Sequence, residues 1–174
     1  MKRPTGDEIV ALLGISESDD RMLDMFEALG VNKDEFERDE DVGSFWVDLE
    51  DEIGLMLTFN SSLPEQYRIP NHEGGQYLVG IMFDYNFKPL PYQLLEDNNL
   101  DIVEEKLNEK PNFISIDDSS RLQWVYENLN WLTIEFEDDT YSSIYSVGLS
   151  IFEDPIENWD GNNGFNTIIK PFKR

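Results

Sequence analysis

The stretch FWVDLEDEIGLMLTF, residues 45–59, sets the fold expected for this chain. Apolar residues stand on both sides of an acidic turn at residues 50–52, and this pattern predicts two closely joined antiparallel strands. A third strand is predicted over residues 77–83, after a long loop that contains proline and glycine. Because the strands alternate only partly between apolar and polar residues, we expect helices to cover one face of the sheet.

Two helices are predicted before this sheet. The first spans residues 7–13, and the second is expected to begin at a capping serine, Ser16 or Ser18, and to end at Gly30. The apolar residues of the second helix follow the spacing i, i+3, i+4 and i+7 and are Met22, Met25, Phe26 and Leu29. Residues 31–43 are predicted to form a charged loop.

The second half of the chain repeats this order. A helix capped by Asn98 or Asn99 is predicted first. Strands are then predicted over residues 122–126, 131–136, 143–152 and, as a final edge strand, 165–169. The main helix and the first strand match those of the first half at an offset of 78, so that Trp46 aligns with Trp124. The offset is 77 for the second strand and 68 for the third.

The expected fold is therefore α+β, a tandem repeat of two helices and an antiparallel sheet. Residues 1–88 are predicted to form the first repeat and residues 89–174 the second, packed as one compact unit. The strands of the two repeats could join in one curved sheet. Since Trp46 and Trp124 occupy matching positions, both are expected to have a packing role.

The charge of the chain limits its partners. Its 174 residues include 37 acids and 13 bases, for a formal net charge of -24. Residues 4–169 hold every acid but only 8 of the bases, a net of -29. Binding to nucleic acid or to an anionic membrane needs clustered bases, so neither is expected, whereas a basic protein partner is. No apolar run approaches the length of a membrane span, and the chain begins without an apolar signal core, so we expect a cytoplasmic protein.

No residue pattern points to catalysis. The single histidine, His72, stands in a loop without a positioned partner, and the chain has no cysteine. We expect no cofactor, no metal site and no enzymatic activity. Pairs of carboxylates are frequent enough that a carboxylate-dependent hydrolase stays open as a third interpretation.

Acidic and aromatic residues of the predicted hairpins are the candidates for partner binding. Rings supply contact area, and carboxylates supply steering and ion pairs. The candidates are Asp48, Glu50, Asp51, Tyr126, Glu127, Glu135, Glu137, Asp138, Asp139, Tyr141 and Trp159. The sequence does not decide which face of the sheet binds.

A small, acidic, cysteine-free chain without a catalytic constellation resembles the immunity proteins of bacterial polymorphic toxin and contact-dependent growth inhibition systems. The layout of residues 22–59 with 79–81, and of residues 100–136 with 147–149, is similar to the architecture of the beta-lactamase inhibitor protein family. This resemblance implies an inhibitor that binds a cognate toxin domain with a basic surface, a nuclease, and occludes its active site or substrate surface. The alternative is an acidic adaptor for another basic protein.

Overall fold

The computed structural model describes residues 2–32, 36–39, 43–61, 75–115, 118–126, 130–151 and 169–171. The helices in these ranges are Gly6–Val10 (α1), Asp20–Leu29 (α2), Glu50–Ile53 (α3) and Leu100–Leu107 (α4), with a 3-10 turn at Pro91–Gln93. The strands are Glu37–Asp39 (β1), Ser44–Leu49 (β2), Leu55–Asn60 (β3), Tyr77–Asp84 (β4), Phe113–Ser115 (β5), Arg121–Val125 (β6), Asn130–Phe136 (β7), Ile144–Ile151 (β8) and Ile169–Pro171 (β9).

The described strands form one sheet in the order β1-β2-β3-β4-β8-β7-β6-β5-β9. Every pair of neighbouring strands is antiparallel. The α+β class is therefore confirmed. Strands from the two halves of the chain meet where β4 pairs with β8, so a single sheet runs through both halves. The predicted boundary after residue 88 follows the end of β4.

One face of the sheet carries the hydrophobic core. Apolar residues of α1, α2 and α4, such as Ile9, Met22 and Val103, are buried against the inward residues of the central strands. Stacked phenylalanine rings strengthen the first half, where the centroids of Phe45 and Phe59 are 4.5 Å apart. Since these helices all pack on the same side, we call the opposite side of the sheet the open face. Trp131 of β7 and Gln123 of β6 project to this side but are buried, so the face is covered at that point. The helices in the described ranges are too short and too polar to span a membrane.

Side-chain caps mark where α2 and α4 begin. Asn99 accepts a hydrogen bond from the backbone N–H of Ile102 at 3.1 Å, so one of the two predicted caps of α4 is confirmed. The predicted serine caps of α2 are wrong, because α2 begins one residue after Asp19, whose carboxylate accepts the N–H of Arg21 at 3.0 Å. Asp19 is an equally good capping residue by type. Gly30 ends α2 with a φ of 73°, as expected.

The connections differ from the predictions in three places. The acidic turn at residues 50–52 is the short helix α3, which ends at Gly54 with a φ of 69°. The predicted loop of residues 31–43 contains the strand β1, and a further short strand, β5, precedes β6. Strands of three residues carry too little periodicity to be recognised from sequence, because a single alternation occurs often by chance.

The predicted equivalence of Trp46 and Trp124 is wrong. Trp124 is fully buried in the core beside Leu122, whereas the core residues of β2 are Phe45 and Val47. Because successive side chains of a strand point to opposite faces, Trp46 lies on the open face, where it is half-buried. The strand registers match Val47 to Leu122, an offset of 75, so the predicted offset of 78 is displaced by three residues. A displacement by an odd number of residues moves every side chain of a strand to the other face.

Candidate functional site

Nine carboxylates gather at one end of the sheet. The chain passes from β2 into α3 there, β4 ends there, and the turn between β7 and β8 lies at the same end. Two backbone hydrogen bonds join these segments, from Asp84 to Gly54 and from Tyr85 to Tyr145, each 2.9 Å long. We call the following group the acidic end: Asp48, Glu50, Asp51, Glu52, Asp84, Glu135, Glu137, Asp138 and Asp139.

Three of these carboxylates lie on the open face. Asp48, Asp84 and Glu135 alternate with core residues on β2, β4 and β7, which turns them away from the helices. Strand register places Ser146 directly between Asp84 and Glu135. The sheet thus brings together residues that are far apart in sequence and presents them on the side that no described helix covers.

The carboxylates of the acidic end perturb one another. Burial raises the pKa of Asp84, and the charges of Glu135 and Asp48 raise it further. Burial also raises the pKa of Glu50, followed by the charges of Asp48, Asp84 and Asp51. Both shifts have the same physical origin, since partial removal from water and like charges each disfavour the ionised form. Ionised carboxylates at the acidic end therefore repel one another in the folded protein.

Few bases offset this charge, and those nearby are already engaged. The guanidinium of Arg121 donates to Glu135 at 2.7 Å. Arg3 donates to the carbonyl oxygen of Ile53 at 2.9 Å, and its guanidinium lies 4.8 Å from the ring centroid of Phe87. The acidic end consequently keeps a large excess of negative charge available for a partner.

Two acidic residues of the turn between β7 and β8 accept hydrogen bonds within the turn itself. Asp138 accepts hydrogen bonds from the backbone N–H of Thr140 at 2.9 Å and from its hydroxyl at 2.5 Å. Glu137 accepts a hydrogen bond from the hydroxyl of Ser143 at 2.5 Å. Asp138 therefore stabilises the turn in addition to contributing charge.

Tyr141 packs rather than protruding. Its ring meets Phe136 edge to face, with centroids 5.4 Å apart, and its backbone has a φ of 55°. Burial raises the pKa of the Tyr141 phenol, and the nearby charge of Asp139 contributes. The residue lies at the acidic end, but its ring is only half-buried and belongs partly to the edge of the core.

The structure does not bring every candidate to this end. Tyr126 follows β6 at the opposite end of the sheet, because β6 runs from Arg121, beside Glu135, away from the acidic end. Burial raises the pKa of the Tyr126 phenol, and the charge of Glu109 adds to the effect. Two other candidates, Glu127 and Trp159, and also His72, lie outside the described residues.

Sequence reasoning missed two acids of the acidic end, Asp84 and Glu52. Asp84 directly follows the third predicted strand. A carboxylate in this position indicates that acidic residues can cluster at the end of the strand. Its closeness to Glu135 could not be read from sequence, because it depends on the pairing of β4 with β8. Pairing of this kind joins strands about sixty residues apart, which local patterns do not encode.

The middle of the open face is formed by two methionines, a glycine and a threonine. Strand register aligns Met56, Met82, Gly148 and Thr133 in one row across four neighbouring strands. Gly80 stands in the next row, opposite Thr58, where an added Cβ would lie 3.2 Å from the Thr58 Cβ. The Thr58 side chain therefore fills the space above Gly80, and the two methionines offer apolar contact area next to the charge of the acidic end.

No metal-binding arrangement is visible in the parts of the chain that the structure describes. Within them, no three carboxylate or imidazole side chains come together in a way that would hold a metal ion.

Neutralising Asp84 is expected to stabilise the protein at neutral pH. Asp84→Asn removes a carboxylate whose pKa is raised by burial and by like charges, so the free energy of unfolding at pH 7 should rise by about 0.5 kcal/mol, the scale of like-charge neighbours in a sheet. The folded state binds a proton on the Asp84 carboxyl more tightly than the unfolded chain does. The destabilisation caused by the negative charge of Asp84 therefore disappears as the pH falls through the raised pKa. The stability gained by Asp84→Asn should vanish below pH 3.8, the ordinary pKa of an aspartate side chain.

Urea unfolding at several pH values measures this difference. Asp24→Asn, on the exposed side of α2, is the matched control and should change stability little at any pH. A destabilised Asp84→Asn protein at pH 7 would show that Asp84 is stabilised as an anion, contrary to the repulsion described above.

Comparison of the chain with protein-family models, with curated proteins and with solved structures found no match in any of the three. The charge and shape of these surfaces are therefore the observations on which a functional assignment can be built.

Proposed function

We propose that this protein is an immunity protein that binds a cognate toxin domain through the acidic end and the adjoining open face. The toxin domain carries a basic surface, as a nuclease needs in order to hold phosphates, and the bound protein occludes its active site or substrate surface. The complex forms in the cytoplasm, and the protein itself catalyses no reaction.

The observation that carries this proposal is the large excess of negative charge at the acidic end. Nine carboxylates from α3 and four strands or turns share one end of the sheet, and Arg121 is already paired with Glu135. Clustering of like charge costs stability, so a protein that retains it gains when a cationic surface covers it. Such a surface also accelerates association through electrostatic steering.

The residues of the open face also favour a partner that binds on this side of the sheet, next to the acidic end. Apolar residues of the helices occupy the other face, whereas the open face presents the partly exposed side chains of Trp46, Met56 and Met82. Aromatic and methionine side chains are typical of protein interfaces, where they supply contact area. The open face is therefore the better choice between the two faces of the sheet.

We further propose that the two halves are a degenerate tandem repeat. Each half has two helical segments followed by four strands, apart from α3 inserted between β2 and β3 and β9 added after β8, and β4 and β8 meet at the centre of the sheet. A register irregularity follows Thr58 in β3 and Glu135 in β7, 77 residues later, which is the offset predicted for this strand. The same registers give an offset of 66, rather than 68, for the third strand.

An acidic adaptor for another basic protein would use the same surface. Toxicity of the partner separates the two interpretations, because only an immunity protein has to restore growth. A carboxylate-dependent hydrolase gains no support from the acidic end, where the pKa values of Glu50 and Asp84 are raised by partial burial and then by neighbouring like charges.

Co-expression with the toxin domain encoded next to this gene tests the proposal. The intact chain is expected to restore growth, to co-purify with the toxin domain and to block its nuclease activity. Co-purification with a basic protein that is not toxic would identify an adaptor. If a neighbouring toxin domain stays lethal and unbound in the presence of the folded protein, the proposed function is wrong.

A further inference from the structure

A pocket of about 780 Å³ opens beside the acidic end. The segment that follows β4 forms one wall, through Tyr85 and residues 88–90, and residues 94–97 form another. Glu137 and Ser143, from the turn between β7 and β8, complete it. The pocket is therefore built from the same strand end as the acidic end but lies outside the open face.

The pocket combines a buried apolar floor with exposed apolar rims. Leu90 and Leu94 are buried, whereas Leu95 is 56% exposed and Tyr85 is 43% exposed. The ring of Tyr145, 46% exposed, lies 6.2 Å from that of Tyr85. Among the large apolar residues in the described part of the chain, these three are the most exposed. Leu95 and Tyr85 line the pocket, and Tyr145 lies next to Tyr85. Such concentration of exposed apolar surface marks a contact site.

Acids dominate the polar rim of the pocket. Glu96, Asp97 and Glu137 line it, and Lys88 is the base among the lining residues. Lys88 lies 3.6 Å from Glu96, and both side chains are well exposed, so this ion pair contributes little and a competing cation can displace it. The rim therefore favours a positively charged ligand.

Hydrogen bonds hold the walls in place. The backbone N–H of Ile144 donates to the carbonyl oxygen of Glu96 at 2.7 Å, which ties the segment before α4 to the start of β8. The N–H of Leu95 donates to the side-chain oxygen of Asn98 at 3.1 Å. A preformed pocket loses less entropy when it binds a ligand than a loop that must first become ordered.

We propose that this pocket receives an arginine or lysine side chain with an apolar neighbour, from a basic segment of a protein partner. The aliphatic stem would pack on Tyr85 and Leu95, and the cationic group would face Glu96 and Glu137. The tyrosine rings add a favourable site for the cation. This inference rests on the proposed function for the identity of the partner, the toxin domain.

Short peptides test the pocket without the toxin. The peptide acetyl-Leu-Arg-Leu-amide is titrated into the full chain while backbone amide signals are recorded by NMR. The signals of Leu95, Glu96 and Ser143 should shift and saturate with a Kd on the order of 1 mM. The matched peptide acetyl-Leu-Glu-Leu-amide should produce no saturable shift at these residues. Equal shifts with both peptides, or none with either, would overturn the proposal.

Two pairs of variants separate the apolar and the charged contributions. Leu95→Ala should weaken arginine-peptide binding by roughly fivefold, because a largely exposed leucine contributes part of its full burial energy. Leu23→Ala, an exposed leucine on α2, should leave it unchanged. Glu137→Gln, which can still accept the Ser143 hydrogen bond, should also weaken binding, whereas Glu105→Gln on α4 should not. Equal effects within either pair would contradict the assignment.

The two proposals can fail separately. If the arginine peptide binds as expected but no toxin domain does, the proposed function is wrong and the pocket stands as a site for basic segments. If a toxin domain binds and Leu95→Ala and Glu137→Gln both leave that affinity unchanged, the pocket is not where the partner inserts its basic segment, and this inference is wrong while the proposed function stands.

Discussion

Reversing three carboxylates of the acidic end should slow association with the cognate toxin domain by at least about tenfold at low salt, because steering by surface charge governs the encounter rate. The variant is Asp51→Lys, Glu52→Lys, Asp139→Lys. These side chains are exposed. Asp138 is left unchanged because it accepts hydrogen bonds from Thr140 in the turn between β7 and β8. Stopped-flow or biosensor kinetics measures the rate.

A second triple variant controls for total charge. Asp24→Lys, Glu27→Lys, Glu105→Lys changes the net charge equally, but its residues are exposed on α2 and α4. Its association should slow much less, since steering depends on where the charge lies. Circular dichroism first establishes that both variants are folded. Similar rates for the two triples would show that the acidic end is not the approach surface.

Salt should affect the same step. The Debye length falls from about 30 Å at 0.01 M to about 3 Å at 1 M, so association of the unmodified chain should slow steeply while dissociation changes less. A rate that stays flat across this range would mean that the acidic surface only keeps the protein soluble, and the argument for a nuclease partner would lose its physical support.

Truncating Trp124 is expected to have the largest effect on stability. Its ring is fully buried in the core, and its Nε1–H donates to the carbonyl oxygen of Glu109 at 3.2 Å. Trp124→Ala should therefore lower the free energy of unfolding by about 3–5 kcal/mol, through lost burial and the cavity that remains. Urea unfolding followed by circular dichroism measures the loss, and Trp124→Phe gives a milder variant if the alanine protein does not fold.

Trp46→Ala is the matched control for this prediction. Trp46 is half-buried on the open face, so its truncation should cost only about 1 kcal/mol, in proportion to the area that it buries. Equal losses of stability for the two tryptophans would mean that both pack in the core. The placement of their side chains on opposite faces of the sheet would then be wrong.

Local patterns predicted the elements with strong periodicity. The spacing of Met22, Met25 and Phe26 places one apolar stripe on α2, and all three residues are buried. The run from Leu55 to Phe59 alternates between core and open face, and the structure places Leu55, Leu57 and Phe59 in the core. Such elements can be recognised from sequence because their apolar residues recur every three or four positions in a helix and every two positions in a strand.

The candidate site could be predicted only in part. Acids near residues 50 and 138 were expected at hairpin ends, and the structure brings those two ends together. Tyr126 is a candidate at the end of the predicted strand 122–126, but the structure places it after the end of β6 that points away from the acidic end. Each strand has two ends. The sequence does not show which strand ends are neighbours until the order and direction of the strands in the sheet are known.

The sequence by itself determined the α+β class, the main helices and central strands, and the negative charge that limits the partners. Only the tertiary structure decided that β4 meets β8, which places Asp84 near Glu135 and joins both halves in one sheet. It also decided that Trp46 and Trp124 lie on opposite faces. The physical reason is that composition and periodicity act over a few residues, whereas strand pairing and register depend on contacts between distant segments, where a displacement of one residue reverses every side chain.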